Sequence, residues 1–455
     1  MSGITQPWDY LILTASNDAQ AAAYRQQLQR RRGLGMLAGF RRDLVVTDLE
    51  GKRIGSGGST LVCLMQVLQQ ELADSPARSS AAGWLEALQR LRVLVVHAGG
   101  DSRRLPAYVP CGKLFIPVPG ENDGAISQTV FDRQLRVFRD LPAMPEGAGQ
   151  FVITSGDVLL QFDPSEVRFS PVGVTGLGCP ATPYQASTHG VFCPGDDGAV
   201  RLFLQKPSQE EQNRLGAVDR YGQSILDVGV MNFEAVTALT LLKLCQARDE
   251  NGVIRWGGPL GQAILSDGLD FYREICCSMG QEASLGQLKA SARGSGSKLS
   301  DDLLAKIFGA LSPTAFSVHV LPQCEFLHFG TTQQIITSGS RLLMVDRGIS
   351  HLESALSITN RFEPGGHLTG SPGWVEGCRL AAPLALGGNN VVVGVDVDRP
   401  AQLPANACLD VIAGSAATPR ATRSRTASRR AARSVAARSG STSPTWALRR
   451  PTRPR

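Results

Sequence analysis

Arg103, Arg104 and Lys113 stand close together in the stretch HAGGDSRRLPAYVPCGKLF, with no acidic residue between the first and the last. Such a cluster is costly unless an anion answers it, and guanidinium forks suit phosphate oxygens. The residues just ahead, Gly99, Gly100 and Ser102, let successive backbone N–H groups converge on an anion. A second glycine segment, RIGSGGST at 53–60, offers Gly55, Gly57, Gly58, Ser59 and Thr60 where a helix is expected to open. The chemistry that suits both loops is polyphosphate binding; for each loop alone, a tight strand–helix turn is the alternative. A Walker loop is excluded because Gly112-Lys113 is followed by Leu114, and the dinucleotide fingerprint fails at Thr60.

The elements that must position these loops alternate. Apolar runs at 9–14 (DYLILT), 43–49 (DLVVTDL), 91–98 (LRVLVVHA) and 150–156 (QFVITSG) read as strands. Helices lie between them: one capped by Ser16 or Asn17, one with Ser59 or Thr60 at its N-cap and Leu61, Leu64, Met65 and Leu68 on one face, and one around 129–138. Near-continuous apolar strands with intervening helices predict a mostly parallel sheet covered on both faces. A short helix capped by Ser300 is expected over SDDLLAKIFGAL. From about 340 to 411, short apolar runs are broken by Gly, Pro and Asn every six to ten residues, and no helical period is visible. That texture predicts a small all-β solenoid or sandwich.

The 455 residues suffice for two or three domains, and 42 % hydrophobic with 19 % charged is an ordinary soluble composition. No apolar stretch reaches the ~18 residues of a membrane span, and the N-terminus lacks a signal-peptide pattern, so the expected compartment is the cytoplasm. Ten cysteines without a CxxC read as reduced thiols. The net charge of +6 comes from the end of the chain: residues 412–455 hold 11 arginines, no lysine and no acid, leaving −5 for the remainder. With few apolar residues besides alanine, that tail is expected to be disordered or out of frame rather than a nucleic-acid arm.

The stretch GGDSRRLPAYVPCGKLF resembles the sugar nucleotidyltransferase signature GGxGTRLxP…PK. TSGDVLL (154–160), HGVFCPGDDGAVRLFLQKPS (189–208) and LDVGVMNF (226–233) fit further family segments in order. Together with RIGSGGST, LDFY (269–272) and FLHFGTT (326–332), the set is similar to the fucose-1-phosphate guanylyltransferase family, including the N-terminal half of bifunctional fucokinase/guanylyltransferases. The resemblance implies a Rossmann-like α/β nucleotidyltransferase domain over 1–338, a truncated left-handed β-helix-like domain over 339–413 and a tail over 414–455. It implies GTP and L-fucose 1-phosphate as substrates, with Mg2+ and without nucleic acid or membrane; it leaves the oligomeric state open.

The resemblance also assigns roles. Arg103 and Arg104 would hold the leaving pyrophosphate, Lys113 the α-phosphate and Lys206 the sugar phosphate. Asp157 and Asp270 would bind Mg2+. Asp157 as a turn residue, Asp270 as a helix cap and Lys206 as a surface lysine are the structural alternatives, and His97 and His328 read as satisfied core histidines. A kinase reading would need a PxxxGLxSS-type loop, which no stretch matches. A catalytically silent nucleotide-binding protein is the third class.

Overall fold

The computed structural model describes residues 6–73, 75–100, 102, 104–109, 111–120, 126–412 and 445–449. The chain forms two compact units. One comprises Met1–Asp101, Pro110–Leu114 and Val130–Phe326; the other comprises Ser102–Val109, Phe115–Thr129 and Leu327–Arg455.

The first unit is built on one mixed sheet. Its nine strands are β1 (Trp8–Ala15), β2 (Phe40–Thr47), β3 (Arg92–His97), β4 (Gln150–Ser155), β5 (Val174–Ala181), β6 (Gly190–Pro194), β7 (Val200–Gln205), β8 (Ser224–Phe233) and β9 (Phe316–Val320). The order is β9-β5-β8-β4-β3-β1-β2, with the β6–β7 hairpin attached to β8. The quartet β2-β1-β3-β4 is parallel, as is the pair β5-β9. β8 runs antiparallel between β4 and β5.

Strands β3 and β4 are buried at five of six positions, which is what covering both faces of a parallel sheet requires. Helix α1 (Asp18–Gly33) is capped by Asn17, whose side chain accepts the Gln20 N–H. Ser300 caps the helix Asp301–Leu311 as expected. Helix α2 departs from expectation. It runs Gly55–Glu71, so Ser59 and Thr60 lie inside it, buried, rather than at its N-cap.

The second unit contains three parallel ladders. Leu356–Ile358, Gly373–Glu376, Asn390–Val393 and Cys408–Ile412 form one, and Thr445–Arg449 adds an antiparallel strand to it. Arg361–Phe362, Arg379–Leu380 and Asp396–Val397 form the second; Leu368–Thr369, Leu384–Leu386 and Ala401–Leu403 form the third. Each ladder advances about 17 residues per step, too irregularly for the repeat to show in the sequence. Val375, Leu380, Leu384, Val392 and Val397 fill the interior. Buried Asn390 donates to the carbonyls of Pro404 and Ala407 and accepts from Gly388 N, tying neighbouring coils. A helix, Thr332–Arg347, occupies the start of the region expected to be all-β. Its buried face, with Ile335, Ile336, Gly339, Leu342 and Leu343, has helical spacing that small polar residues obscure.

One buried ion pair joins the layers of the first unit. Arg31 of α1 makes two hydrogen bonds to Asp132 of the helix Val130–Arg139, at 2.6 and 2.8 Å, and their side chains are only 1 % and 5 % exposed. Removing one partner leaves a buried charge alone. Arg31→Met or Asp132→Leu singly is therefore expected to cost roughly 3–5 kcal/mol in urea unfolding, and the double apolar variant to recover most of it. Single variants as stable as the parent would show that water reaches the pair.

Candidate functional site

The site is assembled where parallel strands end. His97 of β3 lies opposite Ser155 of β4, and both strands stop there. Gly156 N–H donates to the His97 carbonyl (2.9 Å), and the turn delivers Asp157. Its Oδ1 accepts from Ser155 Oγ (2.9 Å), and its Oδ2 accepts from Lys113 Nζ (2.9 Å). The two side chains are 25 % and 19 % exposed, so the pair is open on one side. Two residues placed in different roles by the sequence are thus direct partners.

A third strand completes the edge. β8 passes beside β4 and bends at Gly229, whose φ of +78° favours glycine. Gly229 N–H donates to Asp227 Oδ1 (2.8 Å). Asp227 is buried, and burial pushes its carboxyl up to about 7, with the Gly229 hydrogen bond opposing. Tyr272 points its hydroxyl toward the Gly229 carbonyl at 3.5 Å. Burial first, and then the carboxylates Asp227, Asp270 and Asp157, hold this phenol well above its usual range.

His97 is half-buried with Nε2 3.1 Å from Thr60 Oγ1, and Thr60 itself donates to the Ser56 carbonyl (2.9 Å). That arrangement makes Nε2 the protonated nitrogen. Burial pushes His97 down to about 4 against the pull of Asp270, so the ring is neutral at physiological pH. The ring is hydrogen-bonded, as the satisfied-histidine reading expects, but it sits half-buried at the strand end rather than in the core.

Several expected binding groups are otherwise engaged. The N–H groups of Gly57 and Gly58 both donate to the Leu269 carbonyl (2.8 and 3.1 Å), so they do not form a phosphate nest. Gly55 has φ +76°, and a Cβ there would lie 2.4 Å from the same oxygen: the glycines permit close backbone packing. Ser59 Oγ donates to Asp48 (2.8 Å). Asp270 is an N-cap. One oxygen accepts from the N–H groups of Tyr272 and Arg273, and the other from Ser56 Oγ, as the helix-cap alternative expects. Among the described residues, no three His, Cys, Asp or Glu side chains gather as a metal site.

The second loop is more open. Gly100 (φ +118°) has no atom within 4 Å of where a Cβ would stand, and Gly99 lies near Ser16 and Thr14. Lys206 also has positive φ (+53°), its N–H donates to the His189 carbonyl (2.9 Å), and it borders a cavity of 430 Å3 with Gln205, Glu211, Arg214 and Cys277. In the second unit, Ser102 has φ +48° and its carbonyl accepts from Leu105 N–H, while the Arg104 carbonyl accepts from Thr332 N and Oγ1. Arg103 lies outside the described residues.

Asp227, Tyr272 and Thr60 as the partner of His97 were not singled out from sequence. The one available signal was an Asp two residues before a glycine inside a strand pattern, LDVGVMNF, which marks a bend. A carboxyl whose folded value lies above its unfolded one stabilises below the unfolded value, and that contribution is lost as pH rises toward the folded one. From pH 4 to 8 the parent should therefore lose on the order of 3–4 kcal/mol relative to Asp227→Asn. Parallel pH–stability curves in chemical unfolding would show that Asp227 is ionised throughout.

The Fucose pyrophosphorylase domain model matches residues 85–428, about three quarters of the chain. The matched range includes Lys113, Asp157, Lys206 and Asp227 but not the 53–60 glycine segment, and it extends past residue 413, where the expected tail begins. A bifunctional fucokinase/GDP-fucose pyrophosphorylase of Arabidopsis thaliana is 31 % identical over 245 residues, covering 50 % of this chain and 23 % of that protein. Fucose-1-phosphate guanylyltransferase of Mus musculus is 29 % identical over 364 residues, or 74 % and 58 % of the two chains. L-fucokinase/L-fucose-1-P guanylyltransferase of Bacteroides fragilis is 25 % identical over 380 residues, or 80 % and 35 %. The chain thus spans less than two thirds of the length of each of these relatives. With the domain model matched across most of its residues, the chain belongs to the fucose pyrophosphorylase domain family.

Proposed function

We propose that this chain transfers a guanylyl group from GTP to L-fucose 1-phosphate, giving GDP-L-fucose and pyrophosphate. The observation that carries this reading is the Lys113–Asp157 pair at the carboxyl ends of β3 and β4, inside the matched range, at the kind of sheet edge where α/β proteins bind ligands. The choice of GTP and fucose rests on the names of the relatives. The finer fold reading, a Rossmann-like sheet followed by a left-handed β-helix, rests on the parallel quartet and the coils of about 17 residues. A cytoplasmic setting is supported by ten free thiols.

The chemistry asks little of a general base. The sugar phosphate's second pKa is about 6, so the attacking oxygen is already ionised near neutrality. A neutral His97 therefore raises no difficulty. Alignment and charge neutralisation are required instead. Lys113 would turn from Asp157 to the α-phosphate, Lys206 would hold the phosphate of the sugar, and Arg103 and Arg104 would hold the departing pyrophosphate. Gly99, Gly100 and Ser102 would supply backbone donors. Asp157, partly exposed, can hold Mg2+ together with phosphate oxygens, the usual mixed ligand set of that ion. When bound, the ion supplies neutralisation of phosphate charge.

A second reading, L-fucokinase, is favoured only by the bifunctional names of two relatives. Pyrophosphate release across a panel of nucleoside triphosphates and sugar 1-phosphates tests the first reading, with turnover expected for GTP and L-fucose 1-phosphate. Free fucose and ATP test the second, with no fucose 1-phosphate expected. Lys113→Ala and Arg103→Ala should each lower kcat/KM by about 10²-fold, and unchanged turnover in both would remove the loop from the triphosphate site. Asp157→Asn should abolish Mg2+-dependent turnover with the fold retained; full activity at limiting Mg2+ would make Asp157 a turn residue and nothing more.

A further inference from the structure

Ser102–Val109, which carries Arg104, follows β3 in the chain but groups with the second unit. Its backbone is bonded to itself. Leu105 N–H donates to the Ser102 carbonyl (2.7 Å), and in the short 3₁₀ turn Pro106–Tyr108 the Tyr108 N–H donates to the Leu105 carbonyl (3.2 Å). Two anchors then fix the loop. At one end, the Arg104 carbonyl accepts from both the N–H and the hydroxyl of Thr332 (3.0 and 3.1 Å), the first residue of the helix Thr332–Arg347. At the other, the buried Tyr108 meets Trp374, whose Nε1 donates to the phenol oxygen (2.8 Å). An indole N–H can only donate, so the phenol gives its own proton elsewhere, to Glu376 Oε2 (3.3 Å).

The two anchors share one support. In the strand Gly373–Glu376, Val375 fills the coil interior, so Trp374 and Glu376, two residues apart, lie together on the opposite face. There Trp374 is fully buried against the helix Thr332–Arg347: a Cβ on Gly339 would stand 2.7 Å from the indole ring. One helix thus holds Arg104 at its first turn and seats the ring that holds Tyr108. The Arg104 side chain itself stays exposed.

We propose that Thr332, Tyr108, Trp374 and Glu376 are positioning residues: they hold the Arg104 loop in one conformation and so present its guanidinium to polyphosphate. The inference rests on the reading above of Arg104 as a pyrophosphate-binding group. None of the four is placed on substrate; they act through the loop. Without the anchors the loop must be ordered at the moment of binding, and that entropy is subtracted from affinity. The coils thereby take a part in guanylyl transfer that no charged motif in them announces.

The test titrates the full chain and its variants with inorganic pyrophosphate in the presence of Mg2+, and follows amide exchange of the 102–109 peptide separately. Arg104→Ala should weaken pyrophosphate binding, which puts the anion at the loop. Tyr108→Phe, which removes only an oxygen, and Thr332→Val should each speed exchange across 102–109. Each should also weaken pyrophosphate by about tenfold, the order of one well-placed hydrogen bond. Thr332→Ser keeps the hydroxyl and should bind as the parent does. Tyr108→Phe combined with Trp374→Phe should be no worse than the worse single variant, since both remove the same hydrogen bond. In turnover with GTP and L-fucose 1-phosphate, kcat should fall while KM for the sugar phosphate, assigned to Lys206, stays unchanged. Parent-like exchange in both Tyr108→Phe and Thr332→Val would overturn the proposal. So would faster exchange with unchanged pyrophosphate affinity, or pyrophosphate binding that Arg104→Ala leaves intact. A parent chain that shows no turnover, yet whose pyrophosphate affinity responds to these variants as expected, would count against GTP and L-fucose 1-phosphate as substrates and leave the proposal standing.

Discussion

The carbonyl oxygen of Leu269 fixes the interior of the site. It accepts from the first turn of α2 through Gly57 and Gly58, while Leu269 N–H donates back to Ile54. Only a residue without a Cβ fits at Gly55 against that oxygen. This reciprocal clamp satisfies helix N-terminal amides that would otherwise need a ligand or water. It also sets where the next residues fall: Asp270 caps the following turn, and Tyr272 lies among three carboxylates. Through Ser56 and Thr60 the same helix end reaches His97 at the end of β3. The N-terminal glycine segment therefore acts on the site through packing, as a positioning element.

Around this clamp, titratable groups meet different surroundings. Asp227 is deep and has one backbone donor, so burial dominates and its carboxyl is raised. Asp157, just past the end of the neighbouring strand β4, is partly exposed and faces an ammonium group. His97 is half-buried and neutral. Lys113, bonded to that carboxylate, is itself partly exposed. Such a pair holds the lysine in place and gives it up to a stronger anion.

Much of this was legible in the sequence because it depends on short-range pattern. Strands β1, β3 and β4 declare themselves by unbroken apolar runs, and Asn17 and Ser300 by cap chemistry at the expected offsets. The cations of the 97–115 loop, Asp157 and Lys206 stand out by residue type beside strand ends. Where helix α2 begins could not be read the same way. Ser59 and Thr60 look like caps, and what puts them inside the helix is a carbonyl more than 200 residues away that takes up the preceding amides.

The sequence by itself determined the alternation of strands and helices, the covered parallel quartet and the identity of the loops that carry charge, since propensity, periodicity and capping act over a few residues. Tertiary structure alone decided which of those loop residues are available. It set Asp270 to capping and Gly57 and Gly58 to Leu269, joined Lys113 to Asp157, and buried Asp227 where its carboxyl is raised. Those outcomes depend on desolvation and on partners supplied by distant segments, and neither is a property of any local stretch of chain.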